Sequence, residues 1–230
     1  MDGLIRAPGK GRAARLRYGG HHYGFVLLLI LVSLIFQLAA PDRDWARLVG
    51  IALQGLTLLA ALRASRVRPL LLHGARVIVV VAIASTIGAY IGFGVLGPTP
   101  ARIVAVLLVA LAPAAIVRGV IVDFREQGEI TLHTMFGVLC IYLLIGSMFA
   151  LLYGIVDSLG SAPFFAQAAP ANTHNLLYFS FVTITTTGYG DLTAGTDVGR
   201  SLAIAEALTG QIYLVTVVAA IVGGLRGGRA

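Results

Sequence analysis

Thr185-Thr186-Thr187-Gly188-Tyr189-Gly190-Asp191 sets glycine at alternate positions, with hydroxyls before and a carboxylate after. Backbone carbonyls stack along one axis when successive residues alternate in handedness, and only glycine enters the positive-φ region at little cost. Gly188 and Gly190 supply that freedom. Carbonyls aligned in this way can take the place of a cation's hydration shell. A glycine-rich turn of a soluble protein could carry the same residues, but this one lies between a short apolar run, 174–184, and a long one, 201–225. At membrane depth, irregular backbone must line a cavity or be enclosed by protein, so the setting favours an ion-coordinating loop.

The elements that must hold this loop are apolar. The chain has 230 residues, 58% apolar and 12% charged, against about 45–50% and about 25% in soluble domains. Its net charge of +7 does not point to nucleic acid, because the basic residues gather at the ends of apolar runs and no aromatic interleaving accompanies them. Cys140 stands alone in an apolar run and reads as a small buried hydrophobe. Apolar runs cover 23–40, 46–62, 77–97, 101–122, 132–155 and 201–225, with a shorter one at 174–185. The expected fold is an all-α membrane protein of six transmembrane helices plus a re-entrant helix and its loop. The run 23–40 also has the form of a signal peptide; its length and the spans that follow favour a retained span. Gly97-Pro98-Thr99-Pro100 is a tight reversal between the third and fourth runs.

Lys and Arg placement gives the orientation. With the amino terminus inside, Arg6, Lys10, Arg12, Arg15, Arg17, Arg63, Arg66, Arg68, Arg76, Arg118, Arg125, Arg226 and Arg229 are internal, 13 of 17. Arg43, Arg47, Arg102 and Arg200 are external. Both termini are therefore expected in the cytoplasm, and Asp191 on the external side. Residues 1–22 read as a basic tail on anionic lipid, 23–125 as a four-helix bundle, and 126–230 as the domain holding the loop. Asn172 or Thr173 can cap a helix from about His174 to Thr185, too short to span. Its carboxyl end would point partial negative charge at mid-membrane.

Thr186-Thr187-Gly188-Tyr189-Gly190-Asp191 resembles the selectivity filter of prokaryotic tetrameric potassium channels of the six-transmembrane type. Thr187 departs from the Val of the common pattern. The resemblance is specific over 185–191, extends over 130–225, and is only topological over 1–125. It implies that the carbonyls of Thr186, Thr187, Gly188 and Tyr189, with the Thr186 hydroxyl, bind K+. It implies that Gly190 completes the filter, that Tyr189 braces it, and that Asp191 guards the outer mouth. Relatives pair this aspartate with a Glu of the pore helix; here that position is Val182, and that partnership is missing. Tyr178, Phe179 and Phe181 would pack as a cuff around the filter. Gly210 matches the hinge glycine of the inner helix, and a helix–helix close approach is its alternative. Glu206, an acid in an apolar run, is a support candidate: a carboxyl bonded to the back of the filter helix. Val215, Val218, Ala219 and Val222 could line an inner gate.

With one filter per chain, a ring needs a homotetramer. The implied function is passive, potassium-selective conduction across the cell membrane, bacterial inner membrane by resemblance. K+ is the permeant ligand, lipid is the surroundings, and no cofactor or enzymatic site is expected. The alternatives are a non-selective monovalent cation channel, through Thr187, and a non-conducting transporter subunit or interaction protein. Residues 223–230 are expected to hold no ligand-gating domain. His133 and His174 are the candidates for pH response, each with a passive interfacial reading beside it.

A voltage sensor needs basic residues at every third position of its fourth span. From Arg102 that register reads Ala105, Leu108, Leu111, Ala114 and Val117; the next is apolar until Arg118. Pro113 is expected to kink this helix. The first four spans are therefore a sensor-like bundle without gating charges. Open probability is expected to vary little with voltage; a steep conductance–voltage curve in symmetric potassium would contradict this.

Overall fold

A computed structural model describes residues 22–41, 43–65, 69–90, 109–121 and 132–227. Among them the chain forms α1 (His22–Ala39), α2 (Asp44–Ala64), α3 (Pro69–Tyr90), α4 (Val109–Ile121), α5 (Leu132–Leu159), α6 (Thr173–Ile184) and α7 (Asp197–Gly227). An isolated β-bridge joins Phe165 to Ala194. The stretch Thr134–Leu159, with mean hydropathy 2.4, is long and apolar enough to cross a membrane. Shorter apolar helices cover Tyr23–Ala39, Leu48–Ala64 and Val109–Ile121.

Several boundaries differ from the sequence reading; α5 ends at Leu159 and not at 155, and α7 starts at Asp197 and not at 201. The third helix starts at Pro69, not near 77. Proline suits a first helical turn, where an N–H has no intrahelical partner; Arg76 is then inside the helix. The last helix persists to Gly227, so the expected tail from Gly223 is helical over most of its length. The tail 1–21, the reversal at 97–100 and the linker around 123–131 lie outside the described residues. Helix α4 runs through Pro113.

The first bundle packs on the second half of the same chain. Helix α1 contacts α2, α5 and α6, and α2 contacts α3. Gln54 Nε2 donates to Gln37 Oε1 at 3.3 Å between α2 and α1, and the rings of Phe36 and Trp45 meet edge to face at 6.2 Å. Val26, Leu58, Ile116 and Cys140 are buried where α1, α2, α4 and α5 converge. Cys140 thus takes the packing role expected of it. Phe25, Leu28 and Ile35 of α1 and Val77, Val80 and Val81 of α3 lie exposed. Such apolar outer faces over apolar cores suit a lipid surround.

Small residues set the helix spacings. A Cβ on Gly55 of α2 would sit 2.7 Å from Val79 Cγ1 of α3, and one on Gly137 of α5 the same distance from Val120 Cγ2. Gly55→Leu should force α2 and α3 apart, at a cost of about 1–3 kcal/mol. A lower unfolding midpoint in detergent is the expected result; an unchanged midpoint would mean that the contact is slack.

Candidate functional site

Helix α6 begins where Asn172 Oδ1 accepts the Asn175 amide at 2.9 Å. This cap satisfies an amide that the helix itself leaves open, for about 1 kcal/mol. The helix has 12 residues, about 18 Å long, roughly half of a bilayer's hydrocarbon thickness. His174 Nδ1 lies 2.8 Å from the Leu38 carbonyl. A carbonyl only accepts, so Nδ1 carries the hydrogen and ties α6 to the end of α1.

The carboxyl end of α6 is where the loop takes its form. A helix leaves its last four carbonyls unpaired, and here each one finds a donor. Phe181 O accepts from the Thr185 amide at 3.2 Å and from Thr185 Oγ1 at 2.6 Å. Val182 O accepts from the amides of Thr187 at 2.9 Å and Gly188 at 3.2 Å. Thr183 O accepts from the Thr186 amide at 2.9 Å, and Ile184 O from the Tyr142 hydroxyl at 3.0 Å. The amides of 185–188 therefore point back into the helix. Among the described residues nothing donates to the carbonyls of Thr186, Thr187, Gly188 or Tyr189.

Handedness alternates along the same residues. Thr186 has φ 56°, Gly188 58° and Gly190 79°, and no other described non-glycine residue has positive φ. Thr186 was not expected to join the alternation. A β-branched residue there is a genuine outlier, with a cost of order 1–3 kcal/mol that surrounding structure must offset. The amide bond of Thr186 to Thr183 helps to hold it. Its hydroxyl has no partner among the described residues.

Thr187, the departure from the common pattern, has a defined place. Its Oγ1 lies 2.8 Å from Thr185 Oγ1. Because Thr185 gives its hydrogen to Phe181 O, Thr187 is the donor of that pair. Tyr189 is 71% exposed, so no described residue of the chain encloses it.

Asp191 has a partner, in place of the carboxyl that residue 182 does not supply. Tyr178 donates to Asp191 Oδ2 at 2.8 Å, and this bond raises the phenol's pKa above its ordinary value. A tyrosine two turns before the filter was visible as an aromatic; its reach to residue 191 was not. Just past Asp191, Gln167 bonds Thr193 twice, Oε1 to the amide and Nε2 to Oγ1, each at 2.9 Å. Ala166 N reaches Thr193 O at 2.9 Å and Gly195 N reaches Phe164 O at 2.8 Å. The rings of Tyr153, Phe164, Phe165 and Phe179 pack together beneath, with centroids 5.0–5.7 Å apart. Of the three expected cuff aromatics, Phe179 joins this cluster, Tyr178 holds Asp191, and Phe181 lies over Gly146.

On α7, Glu206 is fully buried and accepts from Tyr153 of α5. Ser180 of α6 lies against its other oxygen. Neither hydroxyl carried a signal in the sequence. Gly210 is packed on the end of α6: a Cβ would collide with the Ile184 carbonyl oxygen and lie 2.7 Å from Ile184 Cγ1. In this conformation close approach requires the glycine. Val215 is exposed on the same helix; the side chains of Val218 and Val222 lie outside the described residues.

Residues 137–225 match the model of a family described as ion channel. No curated protein and no solved structure matches the chain. The match supports an ion channel family, and with it passive ion movement, over the segment that holds α5, α6, the loop and α7. Removing the hydroxyl in Tyr178→Phe loses one hydrogen bond at the mouth, about 1 kcal/mol. Ionic current through the folded variant should decay about fivefold faster during sustained opening; an unchanged decay would mean that Asp191 is held otherwise.

Proposed function

We propose that the chain is a potassium-selective channel that conducts K+ passively across the cell membrane through a pore of four copies. The observation that carries this reading is the loop 185–190. The amides of 185–188 are turned into α6, handedness alternates at Thr186, Gly188 and Gly190, and among the described residues nothing donates to the carbonyls of 186–189, which leaves them to a ligand outside the protomer. Stacked rings of such carbonyls from Thr186, Thr187, Gly188 and Tyr189 replace an ion's water shell. The Thr186 hydroxyl adds oxygens at the inner end, Gly190 lets the chain turn out, and the Asp191 carboxylates draw cations to the mouth.

One protomer offers only a quarter of such a cage, and its surface fits copies around a cyclic axis. Among the described residues Tyr189 lacks a brace. Ile204, Leu208, Ile212 and Val215, at helical spacing along α7, are exposed apolar residues. A homotetramer would cover both features. The six-span topology, the re-entrant α6 and cytoplasmic termini belong to the same proposal. The bundle before the pore acts as scaffold and not as voltage sensor, since its fourth helix has no row of basic residues.

The Thr187 hydroxyl is bonded to Thr185 behind the loop, which favours selectivity over a non-selective pore. Purified protein in liposomes should pass potassium well ahead of sodium and be blocked by barium. Gly188→Ala, which puts a Cβ at a left-handed residue for about 1–2 kcal/mol in each copy, should cut flux by at least about tenfold. Thr187→Val should keep the potassium preference. Equal sodium and potassium flux would favour the non-selective channel, and absence of flux from intact tetramers the transporter or interaction protein.

A further inference from the structure

Glu206 lies on α7 with no exposed surface, and two hydroxyls meet its carboxyl oxygens. Tyr153 of α5 donates its hydroxyl hydrogen to Oε2. Ser180 Oγ of α6 lies 2.5 Å from Oε1 and 2.6 Å from the carbonyl oxygen of Gly146 on α5. Two hydrogen bonds at Ser180 need two hydrogens. The serine hydroxyl has one, and a backbone carbonyl has none. An ionised carboxylate would leave one of these contacts as two oxygens facing each other with no hydrogen between them. The count closes if the carboxyl itself carries the second hydrogen.

We infer that Glu206 is held as the un-ionised acid, donating from Oε1 to Ser180, which donates in turn to Gly146 O, and that it thereby positions α6 behind the ion-binding loop. The surroundings agree. The titratable groups facing it are the phenols of Tyr153 and Tyr142 on α5; α6 brings Ser180. Among the described residues no cationic side chain pairs with it. A buried carboxylate without such a partner is strongly disfavoured, whereas a neutral acid with every hydrogen placed is not.

The resulting chain of donors runs from α7 through α6 to α5. One turn beyond Glu206, Gly210 rests on the Ile184 carbonyl, which also accepts from Tyr142. Helix α7 is thus joined to α6 at two levels, and through it to the last turn that shapes the loop. Glu206 touches no ion; it is a positioning residue.

The effect on flux rests on the channel reading, whereas the protonation state does not. Infrared difference spectra of the membrane-embedded protein should show an un-ionised carboxyl band at neutral pH that shifts in heavy water and is lost in Glu206→Gln. A glutamine can donate to Ser180 and accept from Tyr153, so Glu206→Gln should pass potassium within about twofold of the unsubstituted protein. Glu206→Ala leaves Tyr153 and Ser180 without their partner and should lower flux by about tenfold or more. Tetramer size and unfolding midpoint are measured alongside. Absence of the band, or a folded Gln variant as impaired as the Ala variant, would overturn the inference. The band present in tetramers that carry no potassium would overturn the channel reading and leave the protonation assignment standing.

Discussion

The constraint on which everything else depends is that the last turn of α6 takes its hydrogen bonds from the loop that follows it. Four amides in succession, 185–188, reach back to the carbonyls of Phe181, Val182 and Thr183. Each N–H shares a peptide unit with the C=O of the residue before it, on the opposite side, so the amides of 186–188 fixed toward the helix leave the carbonyls of Thr185, Thr186 and Thr187 facing away from it. Potential ligands for a cation are thus fixed before any ion arrives. Such preorganisation matters because carbonyls that must reorient around an ion would offset much of what they contribute. It also qualifies the helix-dipole expectation. The carbonyls of the final turn are occupied by protein donors, so a cation below them meets the aligned peptides of the whole helix and not bare oxygens.

The surrounding structure answers the need for rigidity at both ends of the loop. Before the loop, Tyr142, Gly210 and the Thr185 hydroxyl close on residues 181–184. After it, Tyr178 and the paired bonds of Gln167 and Thr193 hold the chain that leaves the loop. The aromatic cluster of Tyr153, Phe164, Phe165 and Phe179 fills the space between. Its rings are apolar and bulky, and only Tyr153 turns a polar atom inward, toward Glu206.

What could be read in the sequence was what local chemistry decides. The cap at Asn172 and the spacing of Gly188 and Gly190 placed α6 and its loop within a residue of where they lie. The start of α3 was missed because counting apolar residues passes over Leu70–Leu72, which the charges of Arg66, Arg68 and Arg76 obscure; proline as a helix-starting residue was the better guide. Thr186 was missed because backbone preference argues against a β-branched residue at positive φ, and only the bonds around it reverse that preference. The partners of Asp191 and Glu206 are tertiary facts. Tyr178 precedes Asp191 by 13 residues, and Tyr153 precedes Glu206 by 53; no local pattern links such positions. Residue 182 was the place to look for the tether of Asp191 only by resemblance, and a side chain two turns from the filter meets the same need.

Gly210 shows why a single residue can serve in two ways. Its lack of a side chain lets α7 lie against Ile184, and a small residue in a long helix is also where bending costs least. These are compatible only if the two sides of the contact differ in freedom. Above it, α7 is tied through Glu206 to α5 and α6. Below it, Tyr213 donates to the Val138 carbonyl at 2.5 Å and stacks on Tyr142 at 5.7 Å. That contact lies one turn past the glycine and joins α7 to α5 again. A bend at 210 would have to break the Tyr213 bond or carry the lower part of α5 with it. A bend beyond 213 meets no described side-chain tie to another helix, since Thr216 bonds only within α7. Among the described side chains, the hydrogen-bonded ties from α7 to other helices therefore end at Tyr213, with Gly210 as the seat on which the tied part rests.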